Sequence, residues 1–129
     1  MKSIFSKIIN KQIPCHLVAE DSHAIAFMDI NPIAFGHVLV VPKKEVDYLF
    51  DLDLDTYQSL WHFVRLVSVG LKKTVLCKRI GVSVVGFEVP HAHIHLIPIN
   101  KISDMNFANK ISISSVELQK ISEKISKNI

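Results

Sequence analysis

The sequence predicts one α+β domain in which five antiparallel strands form a sheet, with one long helix and shorter helices near the N and C termini. Short β-rich runs bounded by turn residues occupy two separate regions, residues 16–41 and 80–99. Between them, from Tyr57 to Val75, apolar residues recur at three- and four-residue steps. The order helix, three strands, helix, two strands, helix favours an antiparallel α+β arrangement over a doubly wound sheet.

The N-terminal part of the chain is predicted to form a short helix and three strands. Ser3 can cap the helix, which should end before Pro14. Its apolar face consists of Ile4, Phe5, Ile8 and Ile9. Extended runs follow at residues 16–19, 24–28 and 36–41, and the segment DINPIAFG between the last two has turn chemistry.

The C-terminal part is predicted to form the long helix, two strands and a last helix. Charged residues suit the dipole of the long helix at both ends. Acidic residues precede its first turn, namely Asp51, Asp53 and Asp55, and basic residues lie near its end, namely Lys72 and Lys73. Strands are predicted at residues 80–85 and 93–99. The last helix, about residues 114–127, begins at Ser114, and Glu117 completes a capping box. With 129 residues and 49% hydrophobic content, residues 1–129 should form a single domain that ends in this helical extension.

Composition and charge exclude several classes of protein. The 15 basic and 12 acidic residues give a net charge of +3 without a basic block, so no nucleic-acid partner is expected. No apolar run approaches the roughly 20 residues that span a bilayer, and the opening MKSIFSKIINKQIP does not have the form of a secretory signal. We therefore expect a cytoplasmic protein without membrane contact. Cys15 and Cys77, which belong to no CxxC pair, are predicted to be free thiols.

The segment PHAHIHLIPI contains three histidines at two-residue spacing, His91, His93 and His95. Alternate residues of a strand share one face, so the three imidazoles would form a row while the residues between them pack inward. Such a row has three interpretations: a metal site, histidines that merely occupy a strand, or a site for chemistry on a phosphate.

Geometry limits the metal interpretation. At ~3.3 Å per residue, His91 and His95 would be about 13 Å apart, so all three cannot bind one tetrahedral ion. In the phosphate interpretation, an unprotonated imidazole nitrogen attacks phosphorus while its other nitrogen donates a hydrogen bond to a fixed acceptor. Neighbouring imidazoles donate hydrogen bonds to the non-bridging oxygens. The regular spacing of three of the chain's seven histidines favours this interpretation.

The run from His91 to Ile97 resembles the His-φ-His-φ-His-φ-φ signature of the histidine triad (HIT) family of nucleotide hydrolases and transferases, in particular its Hint-like branch. The opening SIFSKIINKQIP resembles the family's IF-x-KII-x-x-x-IP. The stretch IAFMDINPIAFGHVLVVPKK resembles its central A-F-x-D-I-x-P…G-H-x-L-V-x-P-K. The resemblance covers most of the first 100 residues in the family's order and implies a HIT-like fold.

The resemblance implies a role for four histidines. His93 would be the nucleophile that forms a transient nucleotidyl-histidine, and the backbone carbonyl of His91 would fix the tautomer of His93. His95 would contact the phosphate, and His37 would approach from a neighbouring strand as the fourth histidine.

The resemblance also implies a nucleotide-binding surface. Asp29 would accept hydrogen bonds from the ribose hydroxyls, although an aspartate before Asn31-Pro32 is also a common turn former. The apolar positions that would enclose the base are Ile4, Phe5, Ile8, Phe27, Ile30 and Leu39. Gly86 and Val89, just before the triad, would also lie beside the nucleotide.

The chain departs from the family pattern in two places. Many bacterial relatives bind a structural zinc through an N-terminal Cys-x-x-Cys, a histidine after the central PKK and the first triad histidine. Ser3, Ser6 and Glu45 occupy the first three positions here, so no metal or other cofactor is expected. Relatives usually carry serine or glutamine before the triad, where this chain has Glu88. That residue is either a general acid for an amine leaving group or a solvated, salt-bridged glutamate.

The resemblance implies a purine-nucleotide phosphoramidase or nucleotidyl hydrolase that uses covalent catalysis at His93. It also implies a homodimer whose two sheets join. Two alternatives stay open. A dinucleoside polyphosphate hydrolase would need space for a second nucleoside beyond the phosphates. A nucleotide-binding module with little turnover would be consistent with the replacement at Glu88.

Overall fold

The computed structural model describes residues 2–129, which form a five-stranded antiparallel sheet and three α-helices. The strands are β1 (Leu17–Glu20), β2 (Ala24–Met28), β3 (Val38–Pro42), β4 (Arg79–Ser83) and β5 (Ile94–Ile99). The helices are α1 (Ile4–Ile9), α2 (Leu54–Thr74) and α3 (Ser115–Lys127). The predicted α+β class, the five-stranded sheet and the long helix are confirmed. Two short 3₁₀ segments, Leu49–Asp51 and Ile102–Asp104, were not predicted.

The strands are ordered β1-β2-β3-β5-β4 across the sheet. The chain therefore crosses from β3 through α2 to the edge strand β4, and β5 then returns to pair with β3. This return brings the histidine-rich segment next to the residues that precede β3. Strands that are far apart in sequence thus meet at the centre of the sheet.

The two faces of the sheet carry separate apolar clusters, as the alternation of side chains along strands requires. On one face, Ile94 and Leu96 of β5 pack in the larger cluster with residues of α2 and α3. On the other face, a smaller cluster lies near α1 and consists of Phe5, Ile25, Phe27, Leu39 and Val41. The inward packing of the residues between the histidines is as predicted.

Side-chain caps begin all three α-helices. Ser3 accepts a hydrogen bond from the Ser6 amide at the start of α1, as its position in the sequence predicted. Asp53 caps α2. The amide of Glu117 donates to Ser114 over 3.2 Å, which is one half of the predicted capping box of α3.

Several predicted boundaries are wrong, and the one that matters for the site is the start of β5. The strand begins at Ile94, so His91 and His93 lie in an irregular segment before it. Pro90 has no amide proton to give to a strand ladder, and the amide of Ala92 donates to the carbonyl of Val46 over 2.7 Å instead of to a strand partner. The predicted strand at residues 80–85 likewise ends at Ser83, and the long helix begins earlier than Tyr57, at Leu54.

Within residues 2–129, no helix has both the length and the apolar content that crossing a membrane requires. Cys15 and Cys77 are free thiols, in agreement with their spacing in the sequence.

Candidate functional site

The site lies on the sheet face that carries the smaller cluster, where β3 and β5 pair. Leu39 of β3 is paired with both Phe27 of β2 and His95 of β5. Paired residues of neighbouring strands point to the same side, so these three side chains form one row across the sheet. Phe5 of α1 packs against this row, with its ring centroid 5.6 Å from that of Phe27 and 5.0 Å from that of His93.

His93 is held by a hydrogen bond whose direction is unambiguous. Its Nδ1 lies 2.8 Å from the backbone carbonyl oxygen of His91. A carbonyl oxygen only accepts, so Nδ1 carries the proton and donates it. In the neutral ring the lone pair is then on Nε2, the other nitrogen of a buried side chain that lines the main cavity. The contact implied by the resemblance is therefore present.

His37 and His95 form a second chain of hydrogen bonds with fixed protons. The amide of Ile33 donates to His37 Nδ1 over 3.1 Å, so the proton of a neutral His37 is on Nε2. That nitrogen donates to His95 Nδ1 over 2.9 Å, which places the proton of His95 on Nε2. Burial lowers the pKa of both imidazoles to about 4, with a contribution from the charge of Lys110 to each. Both rings are therefore neutral at pH 7.

Ser3, Ser6, Glu45 and His91 lie together and bond to one another. His91 Nε2 donates to the carbonyl of Pro42 over 2.8 Å, so its Nδ1 accepts the hydroxyl proton of Ser3 over 2.7 Å. Glu45 Oε1 accepts from the Ser3 amide and from the Ser6 hydroxyl. These bonds, that of the Ser6 hydroxyl foremost, lower the pKa of Glu45 to about 2. The residues at the four positions that correspond to the zinc ligands of many bacterial relatives are thus joined by hydrogen bonds.

Among residues 2–129, one group of side chains has the composition of a metal site. The nearest ligand atoms of Asp29, His37 and His95 lie within 4.8 Å of one another. A metal ion at His37 Nε2 would need the lone pair of that nitrogen, yet Nδ1 of the same ring must also stay unprotonated to accept the Ile33 amide. A neutral imidazole has only one unprotonated nitrogen. The group therefore fits the observed hydrogen bond between the two rings better than it fits a metal ion.

A cavity of about 210 Å³, which we call the main cavity of the site, lies beside His93 and His95. Most of the predicted site residues line it: Ile4, Phe5, Ile8, Phe27, Asp29, Ile30, Leu39, Glu88, Val89, His93 and His95. His91 and His37 do not line it and instead support His93 and His95. Sequence reasoning missed Ile13, Pro14, Cys15, Met28 and Asn31, which also line it.

Asp29 accepts a hydrogen bond within its turn and also lines the main cavity. Its Oδ1 accepts from the Asn31 amide over 2.8 Å, which is the bond of an aspartate that forms a turn. Its Oδ2 lies 3.5 Å from His37 Nε2. The turn interpretation made from the sequence is therefore confirmed, and the ribose interpretation stays a prediction for a residue that lines the main cavity.

A second cavity, of about 80 Å³, shares Glu88, His93 and His95 with the main cavity. Val85, Gly86, Phe87 and Phe107 complete its lining. Gly86 therefore borders this cavity and not the main one. Phe107 was not predicted, although it is the one aromatic residue in the polar stretch KISDMNFANK.

The amino-acid sequence and the fold both match known proteins. Residues 10–102 match the family model of the HIT domain. An uncharacterised HIT-like protein of Borreliella burgdorferi is 34% identical over 135 residues, which cover 98% of this chain and 97% of that protein. An adenosine 5′-monophosphoramidase of Schizosaccharomyces pombe is 33% identical over 100 residues, which cover 76% and 74%. The crystal structure of a Hit-like protein from Bartonella henselae superposes with a TM-score of 0.87 at 33% identity, over 99% of this chain and 96% of that one.

Proposed function

The chain belongs to the histidine triad (HIT) family of nucleotide-binding hydrolases, and we propose that it is a purine-nucleoside phosphoramidase that acts through His93. The observation that carries this proposal is the 2.8 Å hydrogen bond from His93 Nδ1 to the His91 carbonyl. It leaves Nε2 as an unprotonated nucleophile beside a cavity with apolar walls. The name of the Schizosaccharomyces pombe relative supports adenosine phosphoramidates as the first substrates to test.

In the first step, His93 Nε2 forms a bond to phosphorus while the P–N bond of the substrate breaks. The electron pair of that bond goes to the leaving nitrogen, which takes up one proton and departs as the amine. The ring of His93 then carries a positive charge, and its Nδ1 keeps its proton and donates it in the hydrogen bond to the His91 carbonyl. This acceptor stabilises the charged ring more strongly than the neutral one.

His95 is the partner of the phosphate. Its Nδ1 accepts from His37, so its Nε2 proton is free to be donated to a non-bridging oxygen. Negative charge on these oxygens grows as the nucleophile approaches, and a fixed donor stabilises it without reorganisation. His37 acts through His95, because it sets the position of the His95 proton.

In the second step, water attacks phosphorus and the bond to His93 Nε2 breaks. The electron pair of that bond returns to Nε2, and the water loses one proton to the solvent. The products are a nucleoside monophosphate and neutral His93, which is ready for another turnover.

Glu88 is the candidate for delivering the proton to the leaving nitrogen. It lines both cavities, and its side chain is 64% exposed, so it can exchange protons with solvent. The alternative interpretation as a salt-bridged surface residue also has support, because Lys110 Nζ lies 3.9 Å from its Oε1. The two roles predict different responses to the substitution Glu88→Gln.

We also propose a homodimer formed through the edge strand β4 and the adjoining surface of α2. The outer edge of β4 has no strand partner among residues 2–129. Val69 of α2 and Val82 of β4 are about half exposed. The buried Trp61 Nε1 has no hydrogen-bond partner within the same residues. Light scattering should give the mass of a dimer for the wild-type protein, and Val69→Glu should shift that mass toward the monomer.

The experiment that tests the activity looks for the covalent intermediate. The protein is mixed with adenosine and guanosine phosphoramidates, quenched in base and measured by intact mass. A mass increase of one nucleotidyl group, that is a nucleoside monophosphate less one water, supports the mechanism if it is absent in His93→Ala and present in the exposed control His62→Ala. Rapid phosphoramidate hydrolysis with an equal adduct on His93→Ala would place the nucleophile elsewhere.

A further inference from the structure

The two cavities lie beside the same two histidines, His93 and His95. Both are lined by His93, His95 and Glu88, and their other lining residues are entirely different. A phosphorus atom in contact with His93 and His95 therefore has one space for each of two substituents. Under the proposed function, the nucleoside fills the main cavity of about 210 Å³, and the leaving group enters the cavity of about 80 Å³. We call this smaller space the leaving-group cavity.

Phe107 forms one wall of the leaving-group cavity and is held there by a folded loop. Its ring centroid lies 4.8 Å from that of His95, with the planes at 70°. The loop turns at Asn106, whose side chain accepts from the Ala108 amide over 3.0 Å. It is tied to the segment between β2 and β3, because the amide of Ile111 donates to the Pro32 carbonyl over 2.8 Å. The wall is thus positioned before any ligand binds.

Phe87 lines the same cavity and has little to pack against. The residue is 94% exposed, and Val85 nearby is about half exposed. Gly86 between them has a φ of +85°, a left-handed conformation that carries little cost only for glycine. An apolar ligand that covers a solvent-exposed aromatic ring removes apolar surface from water, and this burial favours binding.

The charges at this cavity balance. Lys110 Nζ lies 3.9 Å from Glu88 Oε1 and 5.9 Å from the centre of the Phe107 ring. One positive and one negative group therefore stand at the rim, and the remaining lining is apolar apart from the two histidines. The lining has no excess of cationic groups of the kind that would attract a chain of further phosphates.

We propose, on the basis of the phosphoramidase function, that the leaving-group cavity selects compact, uncharged alkyl or aryl amines, with Phe87 and Phe107 as its specificity-determining residues. The volume of the leaving-group cavity is less than half that of the main cavity. The main cavity takes the first nucleoside, and the leaving-group cavity is too small for a second one. The preferred substrates are nucleoside phosphoramidates of small apolar amines, and dinucleoside polyphosphates are poor substrates.

The test compares kcat/KM for the unsubstituted, N-butyl and N-benzyl phosphoramidates of adenosine and for diadenosine tetraphosphate. The wild-type protein should prefer the N-butyl over the unsubstituted substrate by about tenfold, as expected for a few carbon atoms placed in an apolar pocket. Phe87→Ala, an exposed position where folding is not at risk, should remove most of that preference. Phe107→Leu should reduce it in the same direction. The matched control is Phe50→Ala, an exposed phenylalanine outside both cavities, which should retain the preference.

The outcomes separate this proposal from the function on which it rests. If the unsubstituted substrate is hydrolysed and the N-alkyl substrates show no preference, or a preference that Phe87→Ala and Phe107→Leu leave intact, the selectivity proposal is wrong and the phosphoramidase function stands. Hydrolysis of the dinucleotide at the rate of the N-butyl substrate would also overturn the selectivity. If no phosphoramidate is hydrolysed, the proposed function fails and this proposal fails with it.

Discussion

His37 Nε2 lies 2.9 Å from His95 Nδ1, and the amide of Ile33 on the far side of His37 decides which of the two nitrogens carries the proton. The consequence is a directed chain in which the backbone donates to His37, His37 donates to His95, and His95 has a proton left for a ligand. The chain exists only while both rings are neutral, because a second proton on either ring would have no acceptor within it.

The free energy of unfolding should therefore fall as the pH decreases from about 6.5 to about 4. The unfolded imidazoles have a pKa of 6.5 and burial lowers the folded pKa of His37 and His95 to about 4, so between these values the unfolded state binds more protons. The slope should not exceed about 1.4 kcal/mol per pH unit for each histidine that protonates. Burial lowers the pKa of His91 too, which adds to the slope.

Urea denaturation at pH 4.5, 5.5, 6.5 and 7.5 measures this slope. His95→Asn removes one titrating ring and keeps an acceptor for His37, so its slope should be shallower than that of the wild type. A free energy that stays level from pH 6.5 to 4.5 would contradict the prediction. Glu45 does not interfere in most of this window, because its pKa falls from 4.5 to about 2 on folding.

His93→Ala should abolish turnover and keep nucleotide binding. The substitution deletes the attacking nitrogen and only part of the binding surface. Single-turnover kinetics and calorimetric titration with the nucleoside monophosphate measure the two properties separately. If the variant retains more than about a tenth of the wild-type kcat, a barrier increase below roughly 1.4 kcal/mol, His93 is not the nucleophile.

Ser3→Ala should lower the free energy of unfolding by about 1–3 kcal/mol, because it leaves the buried Nδ1 of His91 without a donor. It also removes the cap of α1, which acts in the same direction. Ser112→Ala, at an exposed serine, is the matched control and should change stability by less than about 0.5 kcal/mol. Equal unfolding midpoints for the two variants in urea would show that the Ser3–His91 bond does not stabilise the fold.

Asp29→Asn should weaken ribonucleotide binding by roughly 1.5–3 kcal/mol, the usual contribution of hydrogen bonds to a charged group. Asparagine keeps the oxygen that accepts from the Asn31 amide, so the turn is preserved and the lost charge is tested alone. A 2′,3′-dideoxynucleotide lacks the ribose hydroxyls, and its binding should change little. Equal losses for both ligands by titration would mean that Asp29 does not bind the ribose.

Glu88→Gln separates the two roles of that residue through the basicity of the leaving amine. If Glu88 delivers a proton, the variant should lose about 10²-fold or more in kcat for basic alkyl amines, which leave poorly without one, and much less for weakly basic aryl amines. A salt-bridged surface residue gives equal and small changes for both substrates. The slope of log kcat against amine pKa, measured for the wild type and the variant, decides between them.

The sequence by itself determined the fold class, the order of elements and most of the residues that line the main cavity. The elements are visible in the sequence because α2 repeats its apolar residues at helical spacing and the strands form short β-rich runs between turn residues, whereas the cavity residues were predicted from the resemblance to the HIT family. The position of Ser3 before α1 was sufficient to predict its cap. The motifs of the family resemblance predicted His93 and Asp29 as site residues, and both line the main cavity.

Only the tertiary structure decided which ring nitrogens of the site carry protons and which residues line the smaller cavity beside His93 and His95. The proton of His95 depends on His37, 58 residues away, and that of His91 on the Pro42 carbonyl, 49 residues away, so no local pattern contains either. Phe107 meets His95 because the loop after β5 folds back over it, and a loop without periodicity gives no sequence signal of its direction. Sequence patterns record which side of an element is buried, whereas hydrogen-bond partners between elements are fixed only when the whole chain packs.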